Sequence, residues 1–207
     1  IITAKGEKIP VVANIHLDVK TNISYWSFFV CINRDKLYQE LIQTKELLEK
    51  QSQKLLEMAT IDPLTGLLNR RELDNRVSKL LSLAKRKQSF VSIILIDIDF
   101  FKKINDNYGH AFGDDILQHL SKILINNRRE HDIVARFGGE EFILVLPDVN
   151  EKNTFKLAEE IRKNIERTTI KGINITVSIG ISVNSKDKYN FDTLFKEADL
   201  ALYKAKD

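Results

Sequence analysis

Cysteine is almost absent: Cys31 is the single thiol in 207 residues. One thiol rules out an internal disulfide and suits a reducing compartment. Charge of one sign is lacking too, since 32 Lys and Arg stand against 29 Asp and Glu, a net +3. So small an imbalance gives no reason to expect a nucleic-acid polymer as partner. No hydrophobic run approaches the roughly 20 residues that a bilayer crossing needs, so no membrane contact is expected of this fragment. No signal peptide opens the chain, and its first residue is Ile, not Met. The expectation is a cytoplasmic fragment of a longer protein, with room for a membrane anchor upstream. What is present is ordinary for a globular chain, 43% hydrophobic and 29% charged. The length holds one domain or two small ones.

The most informative stretch is Arg136-Phe137-Gly138-Gly139-Glu140-Glu141-Phe142. Apolar runs on both sides of a double glycine predict a β-hairpin. Gly138 and Gly139 are expected to supply positive φ in the turn. Glu140 and Glu141 repel each other there unless a cation holds them. Taken alone, this reads more readily as a solvated acidic turn. A second stretch, Val91 to Asp106, begins with an Ile-rich run that suits a strand covered on both faces. It ends at Asp97, either where the acid meets water or where it serves as a metal ligand. Mg²⁺ takes one or two protein carboxylates plus phosphate oxygens, and Asp97 with Glu140 would supply that minimum.

Further segments surround these two. Asp62-Pro63-Leu64-Thr65-Gly66-Leu67-Leu68-Asn69-Arg70 precedes them, Tyr108-Gly109-His110 and Gly113-Asp114 lie between them, and Val177-Ser178-Ile179-Gly180 follows. In this order, from about Ala59 to Asp207, the motifs closely resemble the GGDEF family of bacterial diguanylate cyclases in its Gly-Gly-Glu-Glu-Phe form. The resemblance implies an α/β (α+β) sandwich, a five-stranded central sheet with surrounding helices, related to nucleotidyl cyclases.

Residues 1–34 are β-like. Ile9 to Val19 and Ile23 to Ile32 are strand candidates, with Lys20-Thr21-Asn22 turning between them. Lys5-Gly6-Glu7-Lys8 ahead of them resembles the run into the last strands of a PAS sensor domain. Such a hairpin is only marginally stable alone. Residues 35–60 form a long helix in which Leu41, Leu48 and Leu55 recur every seven residues, with Leu37, Thr44, Gln51 and Met58 at the other seam position. This reads as a short parallel coiled coil with a polar-weakened seam, or as one amphipathic helix packed on the next domain. Residues 61–207 are the cyclase-type domain. Asn69 to Glu72 is a capping box that opens a helix to about Lys87. Strand Phe90 to Ile96, a short helix over 100–107 and a helix from Phe112 to about Arg128 follow. After the hairpin, Phe155, Ala158, Ile161 and Ile165 mark a helix. Ile173 to Ile181 is a strand, and Leu194, Ala198, Ala201 and Ala205 mark the last helix, all over a mixed sheet.

The resemblance implies condensation of two GTP into cyclic di-GMP with release of two pyrophosphates. It is a Mg²⁺-dependent reaction, with Mn²⁺ as an alternative, carried out by a homodimer in which each domain holds one GTP. Asp97 and Glu140 match the family's carboxylate ligands and Ile98 its carbonyl ligand. Glu140 is also placed to accept the 3′-hydroxyl proton, and Glu141 completes the acidic site. Phe100 and Phe101 match backbone N–H donors to phosphate, and Lys102 and Lys206 match phosphate-contacting lysines. In the family a further Arg follows the second of these lysines, whereas this chain stops at Asp207. Gly138 and Gly139 belong to the same GTP-binding set, as does Asn105, which reads the base with Asp114. A carboxylate accepts guanine's paired donors and adenine offers no such pair, so Asp114 favours guanine. Asp114 also reads as a helix N-cap ahead of Ile116.

Arg129 and Asp132, the latter separated from Gly138 by five residues, match the family's inhibitory site for the product cyclic di-GMP; the alternative is a surface ion pair. A catalytically silent nucleotide receptor and a dimerisation module are the competing functions. The intact carboxylate set favours the enzyme.

Overall fold

The computed structural model describes residues 11–30, 34–184 and 189–206. The chain divides into two units between Leu55 and Leu56. In the first, β1 (Val11–Asp18) and β2 (Ile23–Val30) pair antiparallel, with Val11 opposite Val30 and Asp18 opposite Ile23. Asp18 closes the turn by accepting the Lys20 amide at 3.0 Å, and Asn22 takes a left-handed φ of 54°, which Asn tolerates. The expected strand ends at Ile9, Pro10, Cys31 and Ile32 lie outside the described residues. Ile15, Leu17 and Trp26 share one face of the pair and are exposed. Helix α1 (Arg34–Thr60) follows. Its Leu37, Leu41, Leu48 and Leu55 are 58–67% exposed, so the seven-residue seam is uncovered in the single chain.

The second unit contains α2 (Arg70–Lys87), β3 (Val91–Ile98), α3 (Phe101–Tyr108), α4 (His110–Asn127), β4 (Ile133–Gly138), β5 (Glu141–Pro147), α5 (Glu151–Arg167), β6 (Thr169–Ile170), β7 (Ile173–Asn174), β8 (Val177–Val183) and α6 (Phe191–Lys206). The main sheet has the order β4-β5-β3-β8. It is the expected α+β sandwich with two differences. Four strands form the sheet rather than five, with a single parallel bridge from Leu68 to Ala135 beside β4. Every pairing between its named strands is antiparallel, where a mixed sheet was expected. The expected strand Ile173 to Ile181 is split. Lys171 and Gly172, with φ of 48° and 87°, turn β6 back on β7 as a separate hairpin, and β8 alone joins the sheet.

Every residue of β3 is buried, and its alternation assigns each side chain to a layer. Ile94, Ile96 and Ile98 pack with Leu117, Leu120 and Leu124 of α4 and with Ala158, Ile161 and Ile165 of α5. Val91, Ile93 and Leu95 pack with Leu73, Val77 and Leu81 of α2 and with Leu194, Ala198 and Leu202 of α6. Each fully buried Leu or Ile contributes about 1.5–3 kcal/mol. Phe155, an expected core marker of α5, is instead 63% exposed. Helix α6 lies directly on β8: a Cβ at Gly180 would come within 2.0 Å of the Ala198 carbonyl oxygen.

The α2 cap forms by half of the expected box. Asn69 Oδ1 accepts the Glu72 amide at 3.0 Å, while the Asn69 amide donates to Thr60 and its Nδ2 to Ala59. Glu72 turns to Arg76 instead, at 2.8 Å. Asn69 thus ties the end of α1 to the start of α2.

Candidate active site

The parity that sorts the β3 core also sorts its acid. Asp97 lies in the Val91-Ile93-Leu95 series, facing α6, and stands opposite Glu141 of β5. The Lys206 Nζ atom, at the end of α6, reaches Asp97 Oδ1 at 2.9 Å. Asp97 is 7% exposed. Burial, then the charges of Asp97 and Glu140, pushes the Glu141 carboxyl above its ordinary value, and Lys206 offsets this only in part. Three carboxylates therefore share one end of the sheet with one close lysine, and the cluster holds more negative charge than its surroundings neutralise.

The turn is shaped by contacts rather than by positive φ at its glycines. Neither Gly138 nor Gly139 has a positive φ, contrary to expectation. A register shift between Arg136 and Gly138 bulges Phe137 out of the ladder. Its ring packs on Phe195 at 4.7 Å and lies 4.3 Å under the Arg70 guanidinium. A Cβ at Gly138 would sit 3.3 Å from Glu141 Oε2, a tight contact with the movable end of that side chain. Arg136 donates from Nε and Nη2 to the Gly139 carbonyl at 3.1 and 2.8 Å, and from Nη1 to Asp62 at 3.2 Å. Asp62 also accepts the Thr65 amide and hydroxyl at 2.9 and 2.7 Å. Burial raises the Asp62 carboxyl, but Thr65 and Arg136 outweigh it and hold the group below its ordinary value. The sequence places Asp62 in an opening motif and does not by itself reveal that it braces the turn. The available signal was an acid and an Arg framing the two motifs.

Beyond β3 the backbone turns sharply. Phe100 has a left-handed φ of 57°, a conformation that costs a non-glycine residue about 1–2 kcal/mol. It is the N-cap of α3 and offers no side-chain cap. Its ring is 70% exposed, with Lys103 Nζ at 4.7 Å. Phe101 is buried at 8%, and Lys102 is exposed. Asn105 Oδ1 is buried without a hydrogen-bond partner, an arrangement with a cost unless a ligand supplies a donor. It faces Gly113, where a Cβ would approach to 2.0 Å. Asp114 is exposed inside α4, which starts at His110 with Gly109 as its cap. The N-cap role considered for Asp114 is therefore excluded: the helix starts four residues earlier.

Arg129 and Asp132 close a tight loop. The Arg129 amide donates to Asp132 Oδ2 at 2.7 Å, and the Asp132 amide donates to the Arg129 carbonyl at 3.2 Å. Asp132 is 6% exposed. Both residues line a cavity of about 260 Å³ with Asn127, Asn153, Lys156 and Glu160. Among the described residues no ion pair joins the two side chains, so the surface-pair alternative is not what forms.

Among the described residues, no three His, Cys, Asp or Glu side chains gather as a metal-binding group. The expected set needs only two carboxylates and the Ile98 carbonyl. The mutual repulsion recorded at Glu141 fits a divalent cation at this end of the sheet.

Comparison with known proteins places this geometry. The profile for the diguanylate cyclase GGDEF domain matches residues 59–207. The response regulator PleD of Caulobacter vibrioides is 40% identical over 157 residues, 73% of this chain and 35% of PleD. The chain thus spans about a third of that relative's length. The coiled coil and GGDEF domain of DgcB from Caulobacter crescentus, solved with c-di-GMP, aligns with a TM-score of 0.76 and 26% identity, covering 83% of this chain and 93% of that one. The active GGEEF domain of a Vibrio cholerae diguanylate cyclase aligns at 0.65 with 37% identity, covering 68% and 91%. Sequence, fold and the acid-lined end of the sheet agree, and the chain belongs to the diguanylate cyclase GGDEF-domain family.

Proposed function

We propose that the chain condenses two GTP into cyclic di-GMP and two pyrophosphates, as a Mg²⁺-dependent homodimer under product inhibition. The observation that carries this reading is the facing pair Asp97 and Glu141, with Glu140 beside them in a braced turn. Each 3′-hydroxyl attacks the α-phosphate of the other nucleotide and displaces pyrophosphate, so two anions must be brought together and their charge offset. Asp97, Glu140 and the Ile98 carbonyl would hold the cation. When bound, Mg²⁺ or Mn²⁺ neutralises phosphate charge and lowers the cost of the attacking and leaving oxygens. The residues of the chain position the nucleotide. The uncapped start of α3, at Phe100 and Phe101, offers N–H groups to phosphate, and Lys102 adds a cation. Lys206, now on Asp97, is the second phosphate-contacting cation of the reading. The unpaired Asn105 oxygen and the Asp114 carboxylate read guanine's N–H groups. Glu140 accepts the 3′-hydroxyl proton. Gly138 and Gly139 leave the turn open for the nucleotide.

Residues 1–34 are assigned to the end of a PAS-like sensor, 35–60 to a coiled coil and 61–207 to the cyclase, all on the cytoplasmic side. The uncovered leucine seam of α1 suits pairing with a second copy, which would bring two nucleotide sites face to face. Arg129 and Asp132 are assigned to product inhibition. The cavity beside them sets Arg129 and Lys156, which suit phosphate, alongside the acids Asp132 and Glu160. Incubating the purified chain with GTP and Mg²⁺ and identifying the nucleotide by mass spectrometry tests the reading. Intact GTP after prolonged incubation of a demonstrably dimeric sample counts against it.

A further inference from the structure

Asp99 stands one residue before the N-cap of α3 and is of the type that usually caps a helix. It does not cap this one. Thr176 Oγ1 donates to Asp99 Oδ2 at 2.6 Å, and Ser178 Oγ donates to Oδ1 at 2.7 Å. The Asp99 amide donates to the Thr176 carbonyl at 3.1 Å. Ser178 lies in β8 and Thr176 just ahead of it, on the flank of β3 away from the hairpin. Among the described residues no cation pairs with Asp99, so the two hydroxyls hold its charge.

The consequence appears at the next residue. With Asp99 drawn to β8, Phe100 takes its disfavoured left-handed conformation and α3 begins without a side-chain cap. The first intrahelical bond runs from the Ile104 amide to the Phe100 carbonyl, at 3.1 Å, which leaves the amides of Phe101, Lys102 and Lys103 without helix acceptors. A carboxylate released beside these amides would accept them and repel an incoming phosphate.

We propose that Asp99, Thr176 and Ser178 form a positioning clamp that keeps the α3 N-terminus uncapped for the triphosphate, by holding the nearest carboxylate on β8. The clamp rests on the GTP reading above. It makes a prediction that a simple staple between strands does not. Removing the hydroxyls harms phosphate binding through the freed Asp99, so deleting Asp99 as well restores part of what was lost.

The test uses the full chain and two probes: the α,β-methylene analogue of GTP, which cannot release pyrophosphate, and guanosine. Affinities are read by calorimetry with Mg²⁺. Thr176→Val together with Ser178→Ala is expected to weaken the analogue about tenfold, the scale of hydrogen bonds to a charged group, and to leave guanosine unchanged. Thr176→Ser, which keeps the hydroxyl, should match the wild type. Adding Asp99→Ala to the double variant should recover part of the analogue affinity. Thr176 is exposed, so Thr176→Val alone, with about half the effect on a logarithmic scale, serves if the double variant unfolds. Equal losses for both probes, or a triple variant no better than the double, overturn the clamp and leave the GTP reading standing. A wild type that binds guanosine but not the analogue overturns the GTP reading, and the clamp with it.

Discussion

Asp62 and Glu141 flank the same hairpin turn, and the fold treats them in opposite ways. Asp62 accepts hydrogen bonds from Thr65 and Arg136, and these hold its carboxyl below the ordinary range. Glu141 is partly buried beside Asp97 and Glu140, which raises its carboxyl. One acid braces the turn, and the other is left in a poor environment by it. A carboxylate satisfied inside the chain adds to stability, whereas one left short of positive charge costs stability, which is the mark of a candidate site for chemistry.

Removing charge from the unsatisfied side should have the largest effect. Glu140→Gln keeps the shape of the turn and is expected to lower product formation by about a thousandfold or more, as loss of an electrostatic group at a reacting centre does. Folded Glu140→Gln with substantial cyclase activity removes Glu140 from the chemistry. Asp62→Ala attacks the satisfied side. Losing charged hydrogen bonds worth about 2 kcal/mol should lower Tm by about 5 °C. It should also lower turnover, because Arg136 then holds Gly139 without its anchor. An unchanged Tm would show that the brace is idle.

The third test is the sign of the pH dependence. The Glu141 carboxyl is raised above 4.5, so its contribution to stability is full below 4.5 and is lost as pH rises through the raised value. Glu141→Gln should therefore melt higher than wild type at pH 7, even as it loses activity, and the two curves should converge below pH 4.5. The Asp62 carboxyl is held below 3.8, so its contribution is present above 3.8 and is lost as pH falls through the lowered value. Asp62→Asn should show its deficit at neutral pH and lose it in acid. Melting curves for both variants from pH 3 to pH 8 decide the contrast, and slopes of the same sign would refute it. The smallest effect on the fold belongs to Arg129→Ala, an exposed position, with a stability change within about 0.5 kcal/mol. Its progress curve should stay linear where the wild type slows as cyclic di-GMP accumulates. Equal cyclic di-GMP affinity for the two proteins places the inhibitory site elsewhere.

Much of this was legible in the sequence because it is local. The hairpin, the α2 cap at Asn69 and the helix periods each depend on residues a few positions apart. The Asp97 and Glu140-Glu141 motifs named the acidic end of the sheet. The pairing of Asp97 with Glu141 was not legible, because register is set by the whole β3–β5 ladder from Val91–Pro147 inward. The Lys206 contact depends on α6 crossing that face at Gly180. The glycine turn was misread because Arg136, Asp62 and the Phe137 bulge, rather than backbone freedom, shape it. Asp114 was considered as a cap because nothing local shows that α4 starts at His110. Phe155 follows the helical period yet lies on the exposed side of α5.

The double role of Asn69 sets a rule for anyone who cuts and splices this protein. Its side chain holds the Ala59 carbonyl and the Glu72 amide together, and its own amide holds Thr60. A chimera joined at Leu55 keeps Ala59, Thr60 and Asn69 in their own sequence, and with them this three-bond splice. One joined at Ile61 replaces both residues whose main-chain carbonyls Asn69 holds, so the graft keeps those two bonds only where its own last helical turn presents its carbonyls in the same way.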